Sequence, residues 1–135
     1  MLRFCLMDKT KILVVEDDEF LREVYVETLT DEGYAVDTAL DGMEGLTKIK
    51  QGGYKLILLD IIMPKIDGLE VVRQLKNQNL FPQNTSVIFL TNLEKDEEIK
   101  QALELGDGYL IKSQLTPGDL IKEVKLLTEK NNTTP

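Results

Sequence analysis

Glu16, Asp17, Asp60, Thr91 and Lys112 are the side chains that could do chemistry together, because each stands where a short apolar run ends. Carboxylates hold hard cations and attack electrophiles, a hydroxyl donates and accepts hydrogen bonds, and an ammonium neutralises anionic oxygen. That set suits a divalent cation and an anionic group held side by side. Histidine is absent from all 135 residues, which removes serine-histidine triads, imidazole metal sites and any histidine phosphocarrier role. The single Cys5 excludes an internal disulfide and cysteine zinc sites, and it fits a reducing, cytoplasmic setting.

The elements that must position these groups follow from hydrophobic periodicity. Apolar runs at 12–15, 56–59, 87–90 and 109–111, with a weaker alternating stretch at 35–39, read as five strands. Continuous rather than alternating apolar character indicates a parallel sheet covered on both faces. Helical spacing fills the gaps, through Leu21, Val24, Thr28 and Leu29; Met43, Leu46 and Ile49; Leu69, Val72 and Leu75; Ile99, Ala102 and Leu103; and Leu120, Val124 and Leu127. Gly33 and Gly52-Gly53 end two of these helices, and Thr116-Pro117 supplies an N-cap and first-turn pair for the last. Strict alternation of five strands and five helices predicts an α/β, doubly wound parallel sheet. Residues 1–9 read as an N-terminal extension, 10–130 as one domain and 131–135 as a polar tail.

In such sheets the carboxyl edge binds ligands. If the first and third strands are neighbours, about 4.8 Å apart, Asp17 and Asp60 can share one cation with Glu16 beside them. Thr91 would flank Asp60, and Lys112 would reach across roughly 10 Å from two strands away. Two carboxylates about 5 Å apart repel by roughly 3 kcal/mol at an effective dielectric near 20, so something positive belongs among them. Lys112 neutralises one charge and Mg2+ suits the rest, since a few carboxylates, water and a phosphate group are its usual ligands. Taken alone, Glu16-Asp17-Asp18 also reads as a solvated loop in which Asp18 caps the next helix. Thr91 alone could end a strand, and Lys112 alone could be a solvated end. Asp60 is harder to dismiss, because it follows LILL and precedes a Pro64 and Gly68 turn, and all five groups fall on one edge.

Sixteen basic residues against 24 acidic ones leave a formal charge of -8, which argues against direct binding of nucleic acid or an anionic membrane. No run of the sequence approaches the ~18 apolar residues of a membrane span, and MLRFCLM is too short and too broken by Arg3 to act as a signal segment. Partners are expected to be proteins, cations or small ligands.

With VVEDDEFLR, LLDIIMPKIDGLEV, the threonine of FLTN and the lysine of GYLIK in order, the sequence resembles a response-regulator receiver domain, the phosphoacceptor of two-component signalling. The resemblance covers about residues 10 to 130 and implies the strand order 2-1-3-4-5. It further implies that Asp60 accepts a phosphoryl group, that Glu16, Asp17, Asp60 and the carbonyl of Ile62 organise Mg2+, and that Thr91 and Lys112 bind the phosphoryl oxygens. The donor would be a histidine kinase or histidine phosphotransfer protein. Thr91 and Tyr109 would form a switch that reshapes the face of the fourth helix, fifth strand and fifth helix for a downstream protein or a separate output domain. Tyr109 also suits an ordinary half-buried strand position. Such a chain is a switch that assists its own phosphorylation and dephosphorylation rather than an enzyme, and self-association as a homodimer stays open.

Three departures bear on this resemblance. Ser113 replaces the usual proline after the lysine, so a trans bond and a shifted loop are expected. LGDGY is one residue short, and Asn92 stands where a small residue is usual. In this family the positions two beyond the acceptor and two beyond the threonine influence the access of water to the phosphoryl group, so the resemblance implies that the apolar Ile62 and Leu93 lengthen the life of the acyl phosphate. A flavodoxin-like FMN carrier is disfavoured because EDDE would repel the phosphate, and a phosphatase because EDD does not match D-x-D. A receiver-like module that binds proteins without phosphorylation is the alternative.

Overall fold

The structure, a computed structural model, describes residues 9–92 and 95–132. Five strands, β1 (Lys11–Val15), β2 (Ala35–Ala39), β3 (Leu56–Asp60), β4 (Ser86–Thr91) and β5 (Gly108–Ile111), alternate with helices α1 (Glu19–Asp31), α2 (Gly42–Gln51), α3 (Gly68–Asn77), α4 (Asp96–Leu105) and α5 (Pro117–Asn132). All pairings are parallel, and the strand order is β2-β1-β3-β4-β5. Apart from Lys9, the expected N-terminal extension lies outside the described residues, and α5 runs through Asn132 into the stretch read as a tail.

Period-two alternation explains why the central strands look uniformly apolar. Leu13, Val15, Ile57, Leu59, Val87 and Phe89 face α2, α3 and α4, where Ile49, Leu69, Val72, Leu75 and Ala102 meet them. Ile12, Val14, Leu56, Leu58, Ile88 and Leu90 face the other way onto Tyr25 and Leu29 of α1 and Leu120 and Val124 of α5. Each such fully buried aliphatic contributes roughly 1.5–3 kcal/mol against exposure. The edge strand β2 is mostly half-buried, which accounts for its weaker pattern.

The helix ends follow the local sequence. Asp18 accepts from the Leu21 amide at 3.0 Å, as a cap should. Thr116 and Asp119 form a reciprocal capping box, with the Asp119 amide donating to Thr116 Oγ1 at 3.1 Å and the Thr116 amide to Asp119 Oδ2 at 3.3 Å. The short LGDGY turn is closed by Asp107, whose amide donates to the Val87 carbonyl and whose carboxylate accepts from the Val87 amide, both at 2.8 Å.

Two apolar residues placed on buried helix faces by their spacing are exposed instead, Met43 by 49% and Leu103 by 57%. In α2 the inward positions are Gly42, Gly45 and Ile49. A Cβ on Gly42 would lie 2.2 Å from the Ile66 carbonyl, and one on Gly45 would lie 3.0 Å from Val15. The helix seats so closely that its contact surface is glycine, which a hydrophobic pattern does not register.

Candidate functional site

Register places the reactive groups. Val15 pairs with Leu59 and Asp60 with Leu90, so Glu16 lies beside Asp60, while Thr91 pairs with Ile111 just before Lys112. Glu16 is fully buried and Asp60 is 3% exposed, whereas Asp17 faces solvent. Carboxylate oxygens of Glu16, Asp17 and Asp60 lie within 4.8 Å of one another. Lys112 Nζ bridges the two buried acids, 3.0 Å from Glu16 Oε1 and 3.0 Å from Asp60 Oδ2. This is the long reach from β5 that the sequence requires.

The loops on either side are held firmly. Glu16 Oε2 accepts from the Asp18 amide at 3.1 Å, and Arg22 of α1 donates from Nη1 to the Glu16 carbonyl at 2.9 Å. Beyond β3, the Ile61 amide continues the ladder to the Leu90 carbonyl at 2.9 Å, and the Gly68 amide donates to the Ile61 carbonyl at 2.8 Å. A Cβ on Gly68 would sit 2.3 Å from the Asp60 carbonyl, so only glycine lets α3 begin this close to the acid. Lys65, at φ 74°, pairs with Asp41 at 3.3 Å and ties the same loop to the start of α2.

Burial, reinforced by the neighbouring Glu16 carboxylate, pushes Asp60 up to about 7, and Lys112 only partly offsets this. For Lys112, burial works against its charge, but the bonds to Glu16 and Asp60 win and hold it above its ordinary value. Three carboxylates thus cluster around one ammonium. The donors are all hard oxygens, which fits Mg2+ with water completing the shell. The residues present fit that ion.

These groups line an open cleft of about 400 Å3 with Asp18, Leu21, Ile62 and Asn92. Ile62 is 54% exposed at its rim. Thr91 is brought to the same edge but is buried, and its neighbour Asn92 lines the cleft. Tyr109 is half-buried against the Phe89 side of the sheet, the face that Thr91 shares by alternation. Leu93 lies outside the described residues. No described peptide bond is cis, and Lys112–Gln114 form a 3-10 turn in place of a proline loop. Sequence reasoning passed over Arg22 and gave Gly68 only a turn; their signals were a basic residue one helical turn past an acidic loop and a glycine at a helix start.

Comparison with known proteins agrees with this geometry. Residues 12–125 match the family described as Response regulator receiver domain. The transcriptional regulatory protein DltR of Streptococcus agalactiae is 35% identical over 122 residues, covering 90% of this chain and 53% of its own. The chemotaxis protein CheY of Treponema pallidum is 39% identical over 106 residues, 76% of this chain and 72% of its own. The response regulator TrrA from Thermotoga maritima, solved in complex with Mg2+ and BeF, superposes with a TM-score of 0.76 at 36% identity, over 87% of this chain and 98% of its own. The chain spans about half the length of transcriptional regulators such as DltR. The chain belongs to the response regulator receiver domain family.

Proposed function

We propose that Asp60 accepts a phosphoryl group from a phosphohistidine on a separate kinase or phosphotransfer protein. The observation that carries this reading is one buried carboxylate at the end of β3, 3.0 Å from Lys112 Nζ and within 4.8 Å of the Glu16 and Asp17 oxygens. A carboxylate oxygen of Asp60 attacks phosphorus, the new O–P bond forms as the donor's N–P bond breaks, and the imidazole leaves with the electron pair. Such transfers depend on positioning and on neutralising charge over the phosphoryl oxygens. Glu16, Asp17, Asp60 and the carbonyl of Ile62 would hold Mg2+, which supplies part of that neutralisation when bound. Lys112 would supply the rest, and Thr91 would donate a hydrogen bond from the end of β4. The Mg2+ and BeF complex of TrrA supports the same chemistry here.

Thr91 and Tyr109, on one face of the sheet, would carry the change to the surface of α4, β5 and α5. There it would alter binding to a target protein or to an output domain beyond this chain. The domain is a switch rather than a turnover enzyme, and its place is the cytoplasm, where such kinases present their phosphohistidine. Among the described residues no helix is long and apolar enough to cross a membrane. Incubation with acetyl phosphate and Mg2+, read by intact mass, tests the proposal. A single-phosphate adduct on the natural chain that disappears in Asp60→Asn and with chelator is expected; an adduct that survives Asp60→Asn refutes it.

A further inference from the structure

The cleft above Asp60 is short of hydrogen-bond donors. Its polar lining is Glu16, Asp17, Asp18 and Asp60, all acceptors when ionised, together with Lys112 and Asn92. The Lys112 ammonium is already shared between Glu16 and Asp60 at 3.0 Å each. Thr91, buried behind the rim, is not part of the lining. Asn92 is exposed, stands directly after β4, and its amide makes no hydrogen bond among the described residues. We infer that the Asn92 side-chain amide donates a hydrogen bond to an oxygen of the group carried by Asp60, making Asn92 a further phosphoryl-binding side chain in addition to Lys112 and Thr91.

The inference rests on Asp60 being the acceptor. A new anionic group bonded to Asp60 projects into this cleft, where three neighbouring carboxylates offer it only repulsion. Asn92 brings two N–H donors to the rim without adding charge, and its backbone is anchored at the end of a strand rather than in mid-loop. A hydrogen bond to a charged oxygen is stronger than a neutral one, so the amide stabilises the modified state more than the unmodified one.

Equilibrium binding of beryllofluoride in saturating Mg2+, measured by calorimetry on the natural chain and on Asn92→Ala, tests this directly. Asn92 is exposed and packs in no core, and circular dichroism with thermal melting verifies the variant's fold. The expected result is beryllofluoride affinity about tenfold weaker in Asn92→Ala, the worth of one such hydrogen bond. Equal affinity in the two proteins overturns the inference, as does a loss of the same size in Mg2+ binding alone, which would mean that Asn92 acts on the ion. If the natural chain itself takes up no beryllofluoride, it is the acceptor role of Asp60 that fails, and the role of Asn92 falls with it.

Discussion

Asp60→Asn is expected to make the metal-free protein more stable above neutral pH. Asp60 is almost wholly buried, and its nearest carboxylate oxygens belong to Glu16 and Asp17 within 4.8 Å. At that separation each like-charged pair costs roughly 3 kcal/mol at an effective dielectric near 20. The Lys112 ammonium at 3.0 Å offsets part of this, and the balance of burial, Glu16 and Lys112 lifts the Asp60 pKa from its ordinary 3.8 to about 7. A carboxyl raised in this way holds its proton more tightly folded than unfolded. Its contribution to stability is therefore complete below about pH 4 and is lost as pH rises through about 7, a total of about 4 kcal/mol for a rise of this size. Asparagine cannot ionise and escapes that loss. Urea unfolding at pH 8 in chelator should place Asp60→Asn about 2–4 kcal/mol above the natural chain, with a melting temperature on the order of 10 °C higher. At pH 4.5 the gap should shrink to about 1 kcal/mol, and millimolar Mg2+ at pH 8 should close it by stabilising only the natural chain. An Asp60→Asn variant that is less stable at pH 8, or that keeps the same offset at both pH values, refutes the electrostatic reasoning.

Other outcomes follow from the same geometry. Lys112→Met leaves Glu16 and Asp60 without their shared ammonium and should cost about 3–5 kcal/mol in chelator at pH 8; adding Asp60→Asn should recover at least half, a coupling that a double-mutant cycle measures. Gly68→Ala forces a methyl to within 2.3 Å of the Asp60 carbonyl and should lower stability by about 1–3 kcal/mol in urea titration while slowing phosphorylation by acetyl phosphate. Ile62 screens the cleft rim with hydrocarbon, so Ile62→Asn should speed hydrolysis of the acyl phosphate several-fold in a radiolabel chase; an unchanged or longer lifetime would count against that screening role.

Much of this architecture was legible because burial writes itself into apolar runs. The strands of ILVV, LILL and VIFL follow from that alone, and each run is followed by the polar residue that the sheet delivers to its carboxyl edge. The order of the strands was not legible from periodicity, since parallel strands buried on both faces look alike; the family resemblance provided it. Met43 misled because helical spacing counts large apolar residues, while the real contact surface of α2 is the backbone at Gly42 and Gly45; on α4 the buried residue is the small Ala102, and its neighbour Leu103 faces out. At the candidate site, residue types brought Asp60, Asp17 and Lys112 forward, but spacing could not reveal that Lys112 also bridges Glu16. Nor could it reveal that Thr91 sits behind the rim while Asn92 faces the cleft, because the twist at a strand end decides which neighbour lines it.

Chemical location of the phosphoryl group is the most direct test. Borohydride reduces an acyl phosphate on aspartate to homoserine, and peptide mapping then reports where the modification stood. After acetyl phosphate and Mg2+, homoserine at position 60 alone is predicted; homoserine at another carboxylate, or intact Asp60 in a chain that carries phosphate, would contradict the account.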